Sequence, residues 1–242
     1  FALDPEALSE VERYNKLIKE NYAKVIGQTM VRLDNSACRL TECNIGNAIA
    51  DSMVNYYLKS IDQIKGWTDK PIAIINGGTI RSGVDKPNGN GTITLEDLLS
   101  ILPFPNTITI MELSGKILKQ MLEHSVTGYD ETGQNAQGRY LQYSGLIVKY
   151  NMTKPEYQRV DGVLVRCSKC RVPKFLHLRE NKKYKVIINS YIAEGGDNFT
   201  MLNSNQVTKS PYDDLISDVF AEYIKKRSPM WPGIEYRIIM TK

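Results

Sequence analysis

The residues with the clearest chemical potential sit in three loops bounded by glycine or proline. In Asn76-Gly77-Gly78-Thr79-Ile80-Arg81 the glycines let a backbone approach a ligand closely, and Arg81 offers a planar five-donor fork suited to phosphate. Taken alone the same residues read more readily as a plain structural turn, and they lack the Gly-Lys-Ser/Thr of a phosphate-cradling Walker loop. In Tyr191-Ile192-Ala193-Glu194-Gly195-Gly196-Asp197-Asn198-Phe199 an aspartate stands beside two glycines. Its carboxylate could accept two hydrogen bonds from vicinal hydroxyls such as those of a ribose. The alternative is a turn in which Asp197 caps its own backbone. In Leu102-Pro103-Phe104-Pro105-Asn106 two prolines hold an aromatic ring on a stiff loop, for stacking on a base or for packing in the core.

Groups that would break a bond are harder to assemble. Metal-assisted hydrolysis of a phosphate ester needs several His and Asp ligands around one or two ions. The chain has two histidines, His124 in an apolar-faced helix and His177 in a Leu-rich turn, and no such constellation forms around either. Ser125 adjoins His124, but neighbours on a helix do not face each other, so a Ser–His pair is excluded. His124 reads as a helix surface or packing residue. The residues are equipped to bind, not to catalyse.

The elements that must position these loops follow from periodicity and caps. Asp4-Pro5-Glu6 starts a helix, with Val11, Tyr14, Ile18 and Tyr22 on one apolar face. Lys24 to Leu33 reads as a strand, Gly46 to Leu58 as a helix with Ile49, Met53 and Tyr56 or Tyr57 inward, and Ile72 to Ile75 as a short buried strand. Thr94 caps a short helix to about Ile101 and Ser114 one to about Val126, with a strand over Ile108 to Leu113 between them. Strands follow at Leu146–Tyr150, Gly162–Arg166 and Tyr184–Asn189. A helix is expected from Asp213 to about Lys226, and Ile234–Met240 closes the chain as a strand. This irregular alternation, without repeats or an interdomain linker, predicts a single α+β domain with a mixed β-sheet packed by helices.

Composition narrows the setting. The chain has 242 residues, 42% hydrophobic, and a net charge of +4, with short basic clusters such as Lys182-Lys183 and Lys225-Lys226-Arg227 that read as solvated faces, so no nucleic-acid partner is expected. No apolar run is long enough for a membrane span, and neither end carries a signal-peptide or lipid-anchor pattern. Four cysteines fall in two close pairs, Cys38/Cys43 and Cys167/Cys170, far from both histidines. Two local disulfides fit better than a zinc site or a redox dithiol, and they imply an oxidising compartment. Sequons at Asn90, Asn151 and Asn198 are compatible with secretion and glycosylation.

Read together, several segments closely resemble the C-terminal domain of the 5′-nucleotidase family, which includes animal ecto-5′-nucleotidase and the secreted apyrases of blood-feeding arthropods. They are Cys38-Arg39-Leu40-Thr41-Glu42-Cys43-Asn44-Ile45-Gly46-Asn47, the Asn76–Arg81 loop, Gly91-Thr92-Ile93-Thr94, Leu102-Pro103-Phe104, Gly138-Arg139-Tyr140-Leu141-Gln142-Tyr143-Ser144-Gly145, Cys167-Ser168-Lys169-Cys170 and Gly195–Phe199. They occur in family order and cover nearly the whole chain. The resemblance implies that Phe104 and Tyr191 sandwich a base, Asp197 holds ribose hydroxyls, Asn76 contacts the nucleoside, and Arg39 and Arg81 pair with ribose or phosphate oxygens. It further implies an interdomain connector helix over residues 1–23 and a nucleotide-binding domain over 24–242. In the family, two divalent metals, usually zinc, are carried by an N-terminal metallophosphoesterase domain, which would be this domain's partner. Two positions depart from the pattern. Tyr191 stands where vertebrate members usually have Phe, and Asn198 replaces the commoner Gly, which disfavours a positive φ there. Asn198 also places a sequon beside the presumed ribose carboxylate.

The sequence therefore leads to an expectation of adenine-nucleotide recognition by the C-terminal half of a secreted, metal-dependent 5′-nucleotidase or apyrase. Hydrolysis of AMP, or of ADP and ATP, would need the two zinc-like metals of the absent N-terminal domain, and this chain alone would leave the nucleotide intact. The alternative is a freestanding, non-catalytic module for nucleotide, nucleoside or protein binding. Family members often dimerise through this domain, but no exposed apolar stripe in the sequence marks a homodimer interface.

Overall fold

A computed structural model describes residues 4, 10–11, 22–59, 66–85, 91–203 and 207–242. In chain order the elements are β1 (Val25–Gln28), α1 (Asn44–Tyr56), β2 (Ile72–Asn76), β3 (Thr92–Thr94), α2 (Leu95–Ile101), β4 (Thr107–Ser114), α3 (Gly115–Ser125), β5 (Leu141–Ser144) and β6 (Leu146–Asn151). There follow β7 (Val160–Arg166), β8 (Phe175–His177), β9 (Lys183–Asn189), α4 (Ser190–Ala193), β10 (Thr208–Leu215), α5 (Ile216–Arg227) and β11 (Ile238–Thr241). Short 3-10 turns lie at Tyr57–Lys59, Gly77–Thr79, Gly196–Asn198 and Thr200–Asn203.

The fold is α+β, built on a mixed five-stranded sheet of order β10-β4-β9-β2-β5. Its centre is the pair β2 and β9, which run parallel with Ile72 opposite Val186 and Ile74 opposite Ile188. All five residues of β2 are buried, because apolar side chains cover both of its faces. Alternation along the strands divides them between two cores. Ala73, Ile75 and Ile187 face the first, beside Ile49, Met53, Leu98 and Phe220 of α1, α2 and α5. Ile72, Ile74, Val186 and Ile188 face the second, with Leu118 and Met121 of α3 and Val148 and Val163 of a second sheet. That sheet has four strands in the order β11-β6-β7-β8, and β1 pairs with β3 separately.

Several sequence expectations are met closely. Thr94 Oγ1 accepts from Asp97 N and the Asp97 carboxylate accepts from Thr94 N, a full capping box on α2. Ser114 caps α3 at Ile117 N. Others need correction. The helix expected from Asp213 starts at Ile216, because Thr208–Leu215 continues β10 and pairs Leu215 with Thr107. The strand expected over Lys24–Leu33 stops at Gln28, and the remainder is held by isolated bridges, Thr29 to Met230 and Leu33 to Val84. The closing strand begins at Ile238 instead of Ile234. His177 lies on β8, not in a turn. The helix expected at the N-terminus falls mostly outside the described residues; Glu10 and Val11 are helical, and Val11 is 55% exposed.

Strand direction decides where the loops gather. β2 and β9 both finish at one end of the sheet, at Asn76 and Asn189. The antiparallel neighbours β4 and β5 start at that same end, with Ile108 opposite Asn189 and Leu141 opposite Asn76. The Asn76–Arg81, Leu102–Asn106, Gly138 and Tyr191–Phe199 segments therefore converge outside the carboxyl ends of the parallel pair, the usual place for ligands on open α/β sheets.

Candidate functional site

The convergent loops enclose a cavity of about 330 Å3 lined by all six residues singled out from the sequence: Arg39, Asn76, Arg81, Phe104, Tyr191 and Asp197. Thr79, Asn106 and the backbone of Gly78 and Gly138 complete its wall. Gly78 is needed for space. Gly78 N donates to Gly138 O at 2.9 Å, and a Cβ on Gly78 would lie 2.9 Å from Gly138 Cα.

A hydrogen-bonded network fixes the carboxylate of Asp197. Asn76 is buried, and its Nδ2 donates to Asp197 Oδ2 at 2.9 Å and to Gly138 O at 3.2 Å. Asn76 Oδ1 accepts from Thr79 Oγ1 at 2.5 Å and from Asn189 Nδ2 at 3.0 Å, which fixes the amide orientation. Tyr191 OH donates to Asp197 Oδ1 at 3.0 Å and accepts from Asp197 N at 3.2 Å. Burial, and then the bond to Asp197, raise the Tyr191 phenol above its ordinary range. Asp197 thus does not cap its own turn. An ionised carboxylate has about four acceptor positions, and these two bonds leave about two for a ligand.

The backbone here takes an unusual path. Asp197 and Asn198 have φ of 51° and 65°, in the left-handed region that Asp and Asn enter more readily than other side chains. Asn in place of Gly was expected to disfavour that conformation, yet the loop adopts it. Part of the reason is His124, buried on α3, whose Nε2 lies 2.9 Å from the Asp197 carbonyl and must carry the proton in that contact. The His124 ring also meets Phe199 edge-on at 4.8 Å, and Phe199 is fully buried. The loop is therefore pinned on both sides of Asp197.

The other side of the cavity is cationic and aromatic. Phe104 and Tyr191 are 45% and 44% exposed, so both rings offer surface to the cavity instead of filling the core. The Arg81 guanidinium sits 5.9 Å from the Phe104 centroid, and its Nη1 donates to Gly78 O at 3.3 Å. Neither Arg81 nor Arg39 pairs with a carboxylate among the described residues. Arg39 is carried by the loop closed by the Cys38–Cys43 disulfide, Cα to Cα 5.0 Å. Fully buried Gln142 on β5 holds that loop, donating to Cys38 O at 3.0 Å and Thr41 O at 2.7 Å and accepting from Cys43 N at 3.1 Å.

Sequence reasoning missed the supporting residues Gln142, Asn189 and His124. Asn189 had a readable signal, since it ends an apolar strand and its Oδ1 caps α4 at Ile192 N. His124 had none, because its partner lies 73 residues away. Among the described residues, no group of three or more His, Cys, Asp or Glu side chains could hold a metal ion.

Residues 25–204 match the family described as 5′-nucleotidase, C-terminal domain. The chain belongs to the 5′-nucleotidase family. It is 40% identical over 243 residues to a 5′-nucleotidase of Diplobatis ommata, covering 99% of this chain and 41% of that protein. A snake venom 5′-nucleotidase of Naja atra is 36% identical, covering 98% of this chain and 44% of the relative. Among solved structures, a 5′-nucleotidase precursor of Thermus thermophilus superposes with a TM-score of 0.83 at 30% identity, covering 97% of this chain and 43% of that one. The chain thus spans less than half the length of these relatives. Both cysteine pairs form disulfides, as expected, which suits an extracellular location. No helix among the described residues is long and apolar enough to cross a membrane.

Proposed function

We propose that this domain grips an adenine nucleotide as the substrate-holding part of a secreted 5′-nucleotidase or apyrase. The observation that carries the reading is the composition of one cavity: two guanidiniums without carboxylate partners among the described residues, two half-exposed rings, and a carboxylate held in place by Asn76 and Tyr191. The base would lie between Phe104 and Tyr191, where stacking contributes about 1–3 kcal/mol per ring by analogy with other aromatic platforms. Asp197 would accept the two ribose hydroxyls on its remaining lone pairs. Arg81 and Arg39 would take phosphate oxygens through charge-assisted, bidentate bonds. Asn76 would touch the nucleoside at the cavity wall while chiefly orienting Asp197, because both of its amide hydrogens are already used.

Phosphate hydrolysis would be the task of a companion metallophosphoesterase domain bearing two zinc-like ions, and no step of it is assigned to this chain's residues. In a secreted setting, Asn151 and exposed Asn198 would be glycan acceptors, whereas Asn90 lies outside the described residues. Calorimetry with adenosine, AMP and ADP tests the reading. Binding should be seen with each, weakened at least about tenfold in Phe104→Ala, and weakened for AMP more than for adenosine in Arg81→Ala. No heat with any of the three would overturn both the binding proposal and the residue roles.

A further inference from the structure

At the opposite end of the central sheet, where β9 begins and β4 ends, a larger groove of about 920 Å3 is lined by Arg166, Lys169, Arg179, Lys182, Lys183 and Lys185. The segment from 166 to 185 holds eight Lys or Arg and one Glu, a net charge of +7, while the whole chain carries +4. The rest of the molecule is therefore net acidic, and this segment accounts for the chain's net positive charge. Asp69 and Glu112 are the carboxylates in the groove wall, and each is already paired, Asp69 with Lys185 at 2.7 Å and Glu112 with Lys183 at 3.0 Å. Arg166, Lys169, Arg179 and Lys182 have no carboxylate partner among the described residues.

The groove is also stiff. The Cys167–Cys170 disulfide closes the loop that carries Lys169, and Trp67 Nε1 donates to Cys167 O at 2.6 Å. The rings nearby are covered by cations: Arg166 lies over Trp67 at 5.8 Å and Phe175 at 5.3 Å, and Lys182 over Tyr184 at 5.1 Å. Individually the basic clusters read as solvated faces in the sequence. Brought together in a concave surface, they form an anion site in which Arg166, Lys169, Arg179 and Lys182 are left without a carboxylate among the described residues.

We infer that this groove binds an extended sulfated polysaccharide. Single-stranded nucleic acid would call for open ring faces on which bases stack, and these rings are occupied. An anionic membrane would call for an apolar wedge beside the charge, whereas the exposed aliphatic side chains on this segment are Val172 and Leu176 alone. A second copy related by a two-fold axis would bring two faces of the same sign together. A linear polysaccharide bearing a sulfate on most sugars matches a groove whose recognition elements are spaced cations, with Arg166 and Arg179 suited to forked contacts.

Calorimetry with a heparin octasaccharide at two salt concentrations tests this. The intact chain should bind with a marked salt dependence, and Lys169→Glu combined with Lys182→Glu should weaken binding by about tenfold or more. A control with the same net charge, Lys24→Glu combined with Lys225→Glu, should change it by less than about threefold. Chemically desulfated octasaccharide should not bind. Should the double reversal melt early, Lys169→Gln with Lys182→Gln replaces it, with a smaller loss of about threefold or more expected. Equal losses in groove and control variants would overturn the site, and so would tighter binding of phosphatidylserine vesicles or oligothymidylate than of the octasaccharide at the same salt.

Discussion

Replacing Gln142 by Leu tests how the fold delivers Arg39 to the cavity. The change keeps a side chain of similar size on β5 but removes three hydrogen bonds to the Cys38–Cys43 loop. Thr41 is exposed, so its carbonyl can turn to water at little cost. Cys38 and Cys43 are buried, so the Cys38 carbonyl and the Cys43 N–H lose their partner without gaining one. Each buried unsatisfied group costs about 1–3 kcal/mol, giving a loss of about 2–6 kcal/mol against a typical domain stability of about 5–15 kcal/mol. Urea denaturation at neutral pH measures this as a fall in midpoint at constant slope. The disulfide keeps the loop closed, so the folded variant should retain the cavity but hold Arg39 loosely. Calorimetry should then find AMP affinity reduced more than adenosine affinity. A destabilisation below about 1 kcal/mol, with the AMP-to-adenosine ratio unchanged, would refute the clamp.

Tyr191→Phe keeps the ring and removes the hydroxyl that braces Asp197, so adenosine should bind about fivefold more weakly while 2′-deoxyadenosine changes little; equal effects on the two would contradict the brace. Gly196→Ala would set a Cβ 2.6 Å from both Cζ and O of Tyr191, and it should abolish detectable nucleoside binding by calorimetry while costing about 1–3 kcal/mol of stability. Burial of Asp69 opposes its ionisation, but hydrogen bonds from Lys185 and Lys70 outweigh it and hold the carboxyl below its ordinary range. A lowered folded-state value means stability that is present above the unfolded carboxylate range and lost as pH falls through the folded one. Asp69→Asn should therefore cost up to about 1 kcal/mol at pH 7, a difference that disappears in acid denaturation series below about pH 3.

What the sequence made legible depends on how strongly each residue's local chemistry outweighed its tertiary setting. The run Ile72–Ile75, the Thr94 and Ser114 caps and the two cysteine pairs carry their own signals, and they stand where expected. β10 does not. Its sequence, Thr-Lys-Ser-Pro-Tyr-Asp-Asp-Leu, is polar, contains Pro211 and is almost wholly exposed, which is tolerated because it is an edge strand supported from one side by β4. The helix after it was placed too early for the same reason, since Asp213 and Asp214 resemble a cap but remain in the strand. At the cavity, Arg81 and Asp197 were legible as chemistry, Arg39 entered only through the family resemblance, and the loop on which Phe104 sits left core and surface equally open until its exposure decided it. The residues behind them were not. Gln142 and His124 act through partners distant in sequence, 104 and 73 residues away, and no local pattern encodes such contacts.

The most direct measurement of the central claim is amide chemical-shift mapping of the chain during titration with AMP. The account predicts shifts confined to the loops around Asn76–Arg81, Leu102–Asn106 and Tyr191–Phe199 and to the Arg39 loop, saturating together as one site. An absence of shifts, or shifts gathered in the basic groove between Arg166 and Lys185 with the cavity silent, would contradict it.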